Sequence, residues 1–181
     1  MVRVMSISET NHKKPSKLVV SDCRNPWVFL ATGFGSGFLP KAPGTWGTIV
    51  ALPVWWFFIA PLEFWIQILV ILVAAVAATW VVEQVLRRYP VGDAGEIVID
   101  EIVGMWCALA LLPANILVLA VAFALFRLFD IAKPGPVGWA DRTLHNGLGV
   151  MMDDLIAGIL SCGVLHFSLW ILSTMQIWPA S

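Results

Sequence analysis

Five apolar runs dominate this chain, at positions 46–60, 62–82, 97–112, 116–129 and 155–171, and acidic residues stand at the ends of three of them. Asp100 and Glu101 open the third run, Asp130 closes the fourth, and Asp153 and Asp154 open the fifth. Composition says what kind of runs these are. Hydrophobic residues make up 59% of the chain and charged residues 13%, against about 45–50% and 25% in soluble domains. Mean hydropathy is +0.84. The sequence therefore predicts an all-α, polytopic membrane helix bundle. An ionised carboxylate near hydrocarbon is expensive, so a membrane chain that keeps five of them is expected to use them.

Only run 62–82 reaches the roughly 20 residues that a hydrocarbon core asks for. The others extend into flanking residues or sit in a thinned bilayer. Pro61 and the Pro113-Ala114-Asn115 turn divide the first four runs into two helical hairpins, because a helix seldom continues through an X-Pro bond. All eleven Lys and Arg lie ahead of the first run, in the 83–96 loop, or in and next to the 127–152 loop. Positive charge marks the cytoplasmic side. The reading is about five spans with the N-terminus inside and the C-terminus outside. The first run, with Gly44, Gly47 and Pro53 around it, is either a span or a re-entrant element.

Residues 1–26 form a polar cytoplasmic tail with no apolar stretch of a cleavable signal peptide. Residues 27–181 form a single membrane-embedded domain. This topology brings all five acids to one membrane face, together with the glycine-rich segment 33–47. A net charge of −1 excludes the basic face that a nucleic-acid partner wants. Cys23, Cys107 and Cys162 lack metal or redox spacing and read as small buried hydrophobes.

Each constellation has a bland reading and a chemical one. Asp100-Glu101 suits a helix N-terminus through the macrodipole, yet an adjacent acid pair followed directly by Ile-Val-Gly is poorly explained by capping alone. Arg127 and Asp130 share a helix face three residues apart, with Lys133 next. Alone they read as an interfacial ion pair with snorkelling cations; beside the other acids they suit a site holding metal and phosphate together. Asp154, Ala157, Gly158 and Ser161 follow at helical spacing, and a stripe of small residues lets a neighbouring helix approach closely. Acids converging there offer the oxygen ligands that Mg²⁺ takes, with substrate phosphate completing its shell.

Gly33-Phe-Gly-Ser-Gly37 and Pro43-Gly-Thr-Trp-Gly47 form a loop whose backbone N–H groups can approach an anion, and a helix beginning at Thr45 would add its positive end. The same glycines suit tight turns and helix contacts, and they match neither a Walker loop nor a dinucleotide fingerprint. His145, in Asp141-Arg-Thr-Leu-His-Asn-Gly147, reads as a solvated loop residue. His166 lies twelve residues past Asp154, roughly 18 Å deeper, and out of reach of the acids.

Gly33-Phe-Gly-Ser-Gly37 with Pro43-Gly-Thr45, Asp100-Glu-Ile-Val-Gly-Met-Trp106, Phe126-Arg-Leu-Phe-Asp-Ile-Ala-Lys-Pro134 and Gly149-Val-Met-Met-Asp-Asp-Leu-Ile-Ala-Gly158 together resemble the motifs of bacterial phosphatidylglycerophosphatase A. The match in order and spacing runs from about Asn25 to Ile171. The resemblance implies a Mg²⁺-dependent lipid phosphatase of the bacterial inner membrane. Its substrate would be phosphatidylglycerophosphate and its product phosphatidylglycerol. Carried onto this chain, Asp100, Glu101, Asp130, Asp153 and Asp154 would be metal ligands or general base. Arg127, Lys133 and Arg142, with Gly44 and Thr45, would hold the phosphate.

Rival chemistries leave no trace in the sequence. There is no Cys heading a phosphate loop that ends in Arg, and no Asp-x-Asp-x-Thr stretch. Metal-assisted hydrolysis remains, with a carboxylate nucleophile still open. Two alternatives differ in class. A small cation transporter or channel predicts acids near mid-membrane with broken helices there. A CDP-alcohol phosphotransferase wants a longer Asp-Gly…Ala-Arg…Gly…Asp…Asp pattern, which is not found.

Overall fold

A computed structural model describes residues 17–89, 94–143 and 147–175, side chains at 141–143 excepted. Most of the polar tail, His145 and the side chain of Arg142 lie outside the described residues. Within them the chain is helical, without strands. The helices are α1 (Pro26–Ala31), α2 (Pro43–Val54), α3 (Phe64–Arg88), α4 (Ile99–Ala108), α5 (Ile116–Ala132), α6 (Gly135–Thr143) and α7 (Gly147–Thr174). A π turn, Trp55–Ile59, continues α2 beyond Pro53.

The apolar runs mark the elements, and the helix ends depart from them in informative ways. α2 starts at Pro43 rather than Thr45, since proline lacks the N–H that the first helical position leaves unused. α3 runs past its apolar stretch to carry Glu83, Arg87 and Arg88 on its last turns. α6 occupies a stretch read from sequence as loop; its apolar content is low, yet Val137 and Ala140 are fully buried. α7 begins eight residues before its apolar run, so Asp153 and Asp154 lie inside the helix instead of opening it.

α3 and α7 are long and apolar enough to cross a bilayer, with window hydropathies of 2.4 and 2.1. Only 33% and 22% of those windows are buried inside the fold. The core helix of a soluble protein is mostly buried; here Leu72, Val73, Val76, Ile159, Phe167 and Trp170 all face outward. An apolar surface of that extent suits hydrocarbon. α4 is different. Ten residues long, it spans about 15 Å, half of a hydrocarbon core, and stops at a turn where Leu111 takes φ 60° just before Pro113. Ile102, Val103, Gly104, Met105 and Ala108 are all buried, so α4 is the axis around which α2, α3, α5 and α7 pack.

Small residues set the spacing at that axis. A Cβ on Gly158 of α7 would collide with the carbonyl oxygen of Gly104, and one on Gly104 would stand 2.9 Å from the carbonyl oxygen of Asp154 and 2.8 Å from Phe126. α4 and α7 thus touch backbone to backbone, as the small-residue stripe of α7 implies. At the end of the bundle away from Asp100, Gln67 is buried in α3. Its side-chain amide donates to the Leu62 carbonyl at 2.9 Å and its carbonyl accepts from Leu111 N–H at 3.2 Å. One side chain thereby satisfies two turns where backbone groups have left their helices.

The packing predicts opposite outcomes for two glycines of α7. Gly158→Ala should lose about 1–3 kcal/mol of stability by overpacking. Gly163→Ala, with nothing within 4 Å of its added methyl, should be neutral or gain up to about 1 kcal/mol from helix propensity. Denaturant unfolding of the two variants in detergent checks this.

Candidate active site

Asp100 and Glu101 sit in the first turn of α4, and α7 enters beside them. Ligand oxygens of Asp100, Glu101 and Asp154 all lie within 4.8 Å of one another. Asp100 is 7% exposed and Asp154 4%. At that spacing each ionised pair repels by about 3–4 kcal/mol for an effective dielectric of about 20. Local hydrogen bonds relieve little of it: Asp100 Oδ1 accepts from the Glu101 N–H at 3.1 Å, while Glu101 Oε2 and Asp154 Oδ1 are buried with no hydrogen-bond partner. Two orphaned carboxylate oxygens in a buried trio of acids fit a hard divalent cation, which takes oxygen ligands and cancels the repulsion.

Cationic groups close the other side. Arg127 reaches Asp130 at 2.5 Å, one turn along α5. Nη1 is the atom in that contact, whereas Nε is buried without a hydrogen-bond partner and is left for another acceptor. Asp130 is near enough to act electrostatically on both Glu101 and Asp154. Lys133 follows at the C-cap of α5 and pairs with Asp153 Oδ2 at 3.1 Å. Asp153 is therefore turned toward Lys133 and stands outside the three-acid cluster.

The first turn of α2 completes the enclosure. A Cβ on Gly44 would collide with Glu101 Oε1 and stand 3.1 Å from Arg127 Nη1. No other residue type fits between those groups without moving one of them. Thr45 is half-buried beside it, its N–H bonded to the Ala42 carbonyl at 3.0 Å. The remaining glycines of the loop do other work. Gly33 and Gly47 pack on Val98, and Gly37 on the backbone of Glu96, so they seat the turn that leads into α4 rather than face the acids. His166 bonds the Ala110 carbonyl through Nε2 at 3.0 Å, away from the centre. Sequence reasoning missed what Gly104 does; its signal was its place one turn after Asp100, on the face that α7 covers.

The sequence that builds this site matches known proteins. The family model of phosphatidylglycerophosphatase A matches residues 29–169. This chain belongs to that family. Phosphatidylglycerophosphatase A of Escherichia coli K12 is 41% identical over 144 residues, covering 79% of this chain and 83% of that protein. The Haemophilus influenzae protein of the same name is 38% identical over 136 residues, covering 75% and 83%. A Bacteroides thetaiotaomicron protein named as a candidate phosphatidylinositol-3-phosphatase is 36% identical over 155 residues, covering 80% and 94%. No solved structure matches the chain.

If the acids work as one centre, Asp100→Asn, Asp130→Asn and Asp154→Asn should each lower turnover about 10²-fold or more while protein abundance holds, by analogy with groups that act together in other enzymes. The Asp100→Asn, Asp154→Asn double variant should be little worse than the poorer single. Turnover per folded molecule is the measurement. Near-normal turnover in two of the three singles would reduce these acids to helix-end charges worth about 0.3–1 kcal/mol each.

Proposed function

We propose that this protein hydrolyses the terminal phosphate monoester of phosphatidylglycerophosphate, releasing phosphatidylglycerol and inorganic phosphate, with Mg²⁺ held by Asp100, Glu101 and Asp154. The observation that carries the reading is the juxtaposition of orphaned oxygens on Glu101 and Asp154 with the orphaned Nε of Arg127. One set asks for a cation and the other for an anion, and a metal-bound phosphate is both. Bound Mg²⁺ would neutralise phosphoryl charge and polarise the phosphorus centre.

The chain's own groups supply the rest. Arg127 Nε donates to a phosphoryl oxygen while Nη1 stays on Asp130, which fixes the plane of the guanidinium. The first turn of α2 at Gly44 and Thr45 adds the Gly44 N–H and the positive helix end, the Thr45 N–H being taken by the Ala42 carbonyl. Asp130, held by Arg127 and adjacent to Asp154, is placed to take the proton of an attacking water. Lys133, with its Asp153 partner, stands beside the acids and adds positive potential for an anionic headgroup; Arg142, in α6, is assigned to the same task by its charge and its place between the two last motifs. Holding the phosphate between fixed charges is most of what a phosphoryl-transfer site must do.

Position relative to the bilayer favours a lipid phosphatase over an ion pathway. Asp154 lies seven residues, about 10 Å, from the described start of a 28-residue helix, near one end of the bundle rather than its middle. We assign that end to the cytoplasmic surface of the bacterial inner membrane, with five apolar segments entering or crossing the bilayer and α4 reaching about halfway on its own. A second substrate, phosphatidylinositol 3-phosphate, is favoured by the Bacteroides relative's name alone; it presents the same phosphate monoester.

Purified protein should release phosphate from phosphatidylglycerophosphate, with EDTA abolishing and Mg²⁺ restoring turnover, and with phosphatidylinositol 3-phosphate as the comparison substrate. A variant with serine at Cys23, Cys107 and Cys162 should retain activity, because no thiol has a role. Full activity in chelator sinks the metal assignment.

Orientation is tested separately. Cysteines introduced at Arg87 and Trp139 should label only from the cytoplasm and one at Ala114 only from outside. Labelling of position 139 from outside overturns the assigned face.

A further inference from the structure

One contact binds α7 to the bundle on the approach to Asp154. Glu83, on the penultimate turn of α3, accepts a hydrogen bond from the Gly147 N–H through Oε2 at 3.2 Å, across 64 positions of sequence. Its other oxygen accepts from Arg87 Nε at 3.0 Å, one turn along the same helix. Gly147 is buried against α3 so closely that a Cβ there would lie 2.9 Å from the Thr79 carbonyl oxygen and 3.0 Å from the Glu83 nitrogen. Glu83 thus acts as a cap supplied by a neighbouring helix: it satisfies a donor at the described start of α7 and sets negative charge against the positive helix end.

Gly147, Met151, Asp154 and Gly158 are buried on one face of α7, at the spacing of successive turns. Gly147 is held by α3 and Gly158 by α4. Asp154 lies between the two contacts, seven residues from one and four from the other. Without the Gly147 contact, α7 keeps its Gly158 contact, the packing of Met151 and the Lys133–Asp153 pair, but its first turn loses the anchor that fixes it against α3. Glu83 bonds Gly147 and Arg87 and none of the acids, so its effect reaches the centre only through the placing of α7.

We propose that Glu83 is a positioning residue of the phosphatase centre: by holding the Gly147 N–H it fixes the orientation in which α7 presents Asp154 to Asp100 and Glu101. The inference rests on the phosphatase reading for its kinetic consequence, and on geometry alone for the placing of α7. A misplacement of about 1 Å in such a centre costs on the order of 10²-fold in rate.

The test compares Glu83→Ala, Glu83→Gln and Arg87→Ala in the full chain. Two quantities are read: kcat and KM for phosphatidylglycerophosphate, and hydrogen exchange at the Gly147 amide. Glu83→Ala should lower kcat about tenfold or more with KM within twofold, and should expose the Gly147 amide to exchange. Glu83→Gln keeps an acceptor oxygen and should restore most of kcat and of the protection. Arg87→Ala removes an exposed pair of small worth and should stay within twofold of wild type. Wild-type kcat in Glu83→Ala, unchanged Gly147 protection, or a kcat loss that Gln does not rescue overturns the proposal. If the alanine variant does not fold, Glu83→Gln decides by itself: kept kcat with kept protection supports the role, and a loss of either removes it. Failure of the phosphatase reading would show differently, as wild-type protein that releases no phosphate while its Gly147 amide remains protected by Glu83.

Discussion

Mutual repulsion among Asp100, Glu101 and Asp154 is the force that the rest of the bundle has to contain. Three carboxylates whose oxygens approach within 4.8 Å push α4 and α7 apart at the place where those helices come nearest. The fold answers with backbone contact. Gly104 and Gly158 remove the side chains that would have kept the axes separate, so dispersion over a close helix interface opposes the electrostatic strain. Phe126 fills the space beside Gly104 from α5, and Trp106 ties α4 to α2 by donating to the Ala51 carbonyl at 3.0 Å. α2, α5 and α7 are each fastened to α4 within two turns of the acids, and a cation bound among them would turn the strain into cohesion.

The two ends of the bundle treat polar groups in opposite ways. Around Gln67 the turns are closed: its side chain bonds Leu62 and Leu111, and His166 and Cys162 both approach the Ala110 carbonyl. Buried polar groups satisfied in this way rigidify a structure and specify one arrangement. Around Asp100 the described side chains include carboxylate oxygens and the Arg127 Nε with no hydrogen-bond partner. Orphaned polar atoms are costly, and a protein keeps them where something else is to be bound. Trp55 Nε1 is also a buried donor without a partner, toward the Gln67 end, but the orphaned charged groups of the acids and Arg127 gather around Asp100, as expected of a preorganised site.

Much of this was legible in the sequence because charge and hydropathy are strong signals in a membrane chain. The acids expected together do gather at one place in the fold, and the Arg127–Asp130 spacing foretold their ion pair. What was not legible depends on long-range packing. The run 97–112 predicts a span, but its helix stops at Ala108, because the turn into Pro113 consumes the remaining residues. Asp153 and Asp154 read as a symmetrical pair, whereas helical rotation of about 100° per residue sends one to Lys133 and the other to the centre. The loop glycines read as one anion cradle, although Gly44 alone abuts Glu101 and Arg127. Glu83 carried no local signal, since its partner lies in a different hairpin.

The early start of α7 also bears on what Asp154 is for. A carboxylate in the first turn of a helix is stabilised by the macrodipole, and that benefit fades within the turn. Asp154 lies seven residues beyond Gly147, where the dipole offers little and burial is nearly complete. Helix capping therefore accounts for Asp100 and Glu101 in part and for Asp154 not at all. A buried acid with an orphaned oxygen, surrounded by other acids and facing a half-satisfied arginine, has no structural use that an apolar residue would not serve better. Its cost is understandable only if the occupant of the site carries both signs of charge, positive toward the carboxylates and negative toward Arg127.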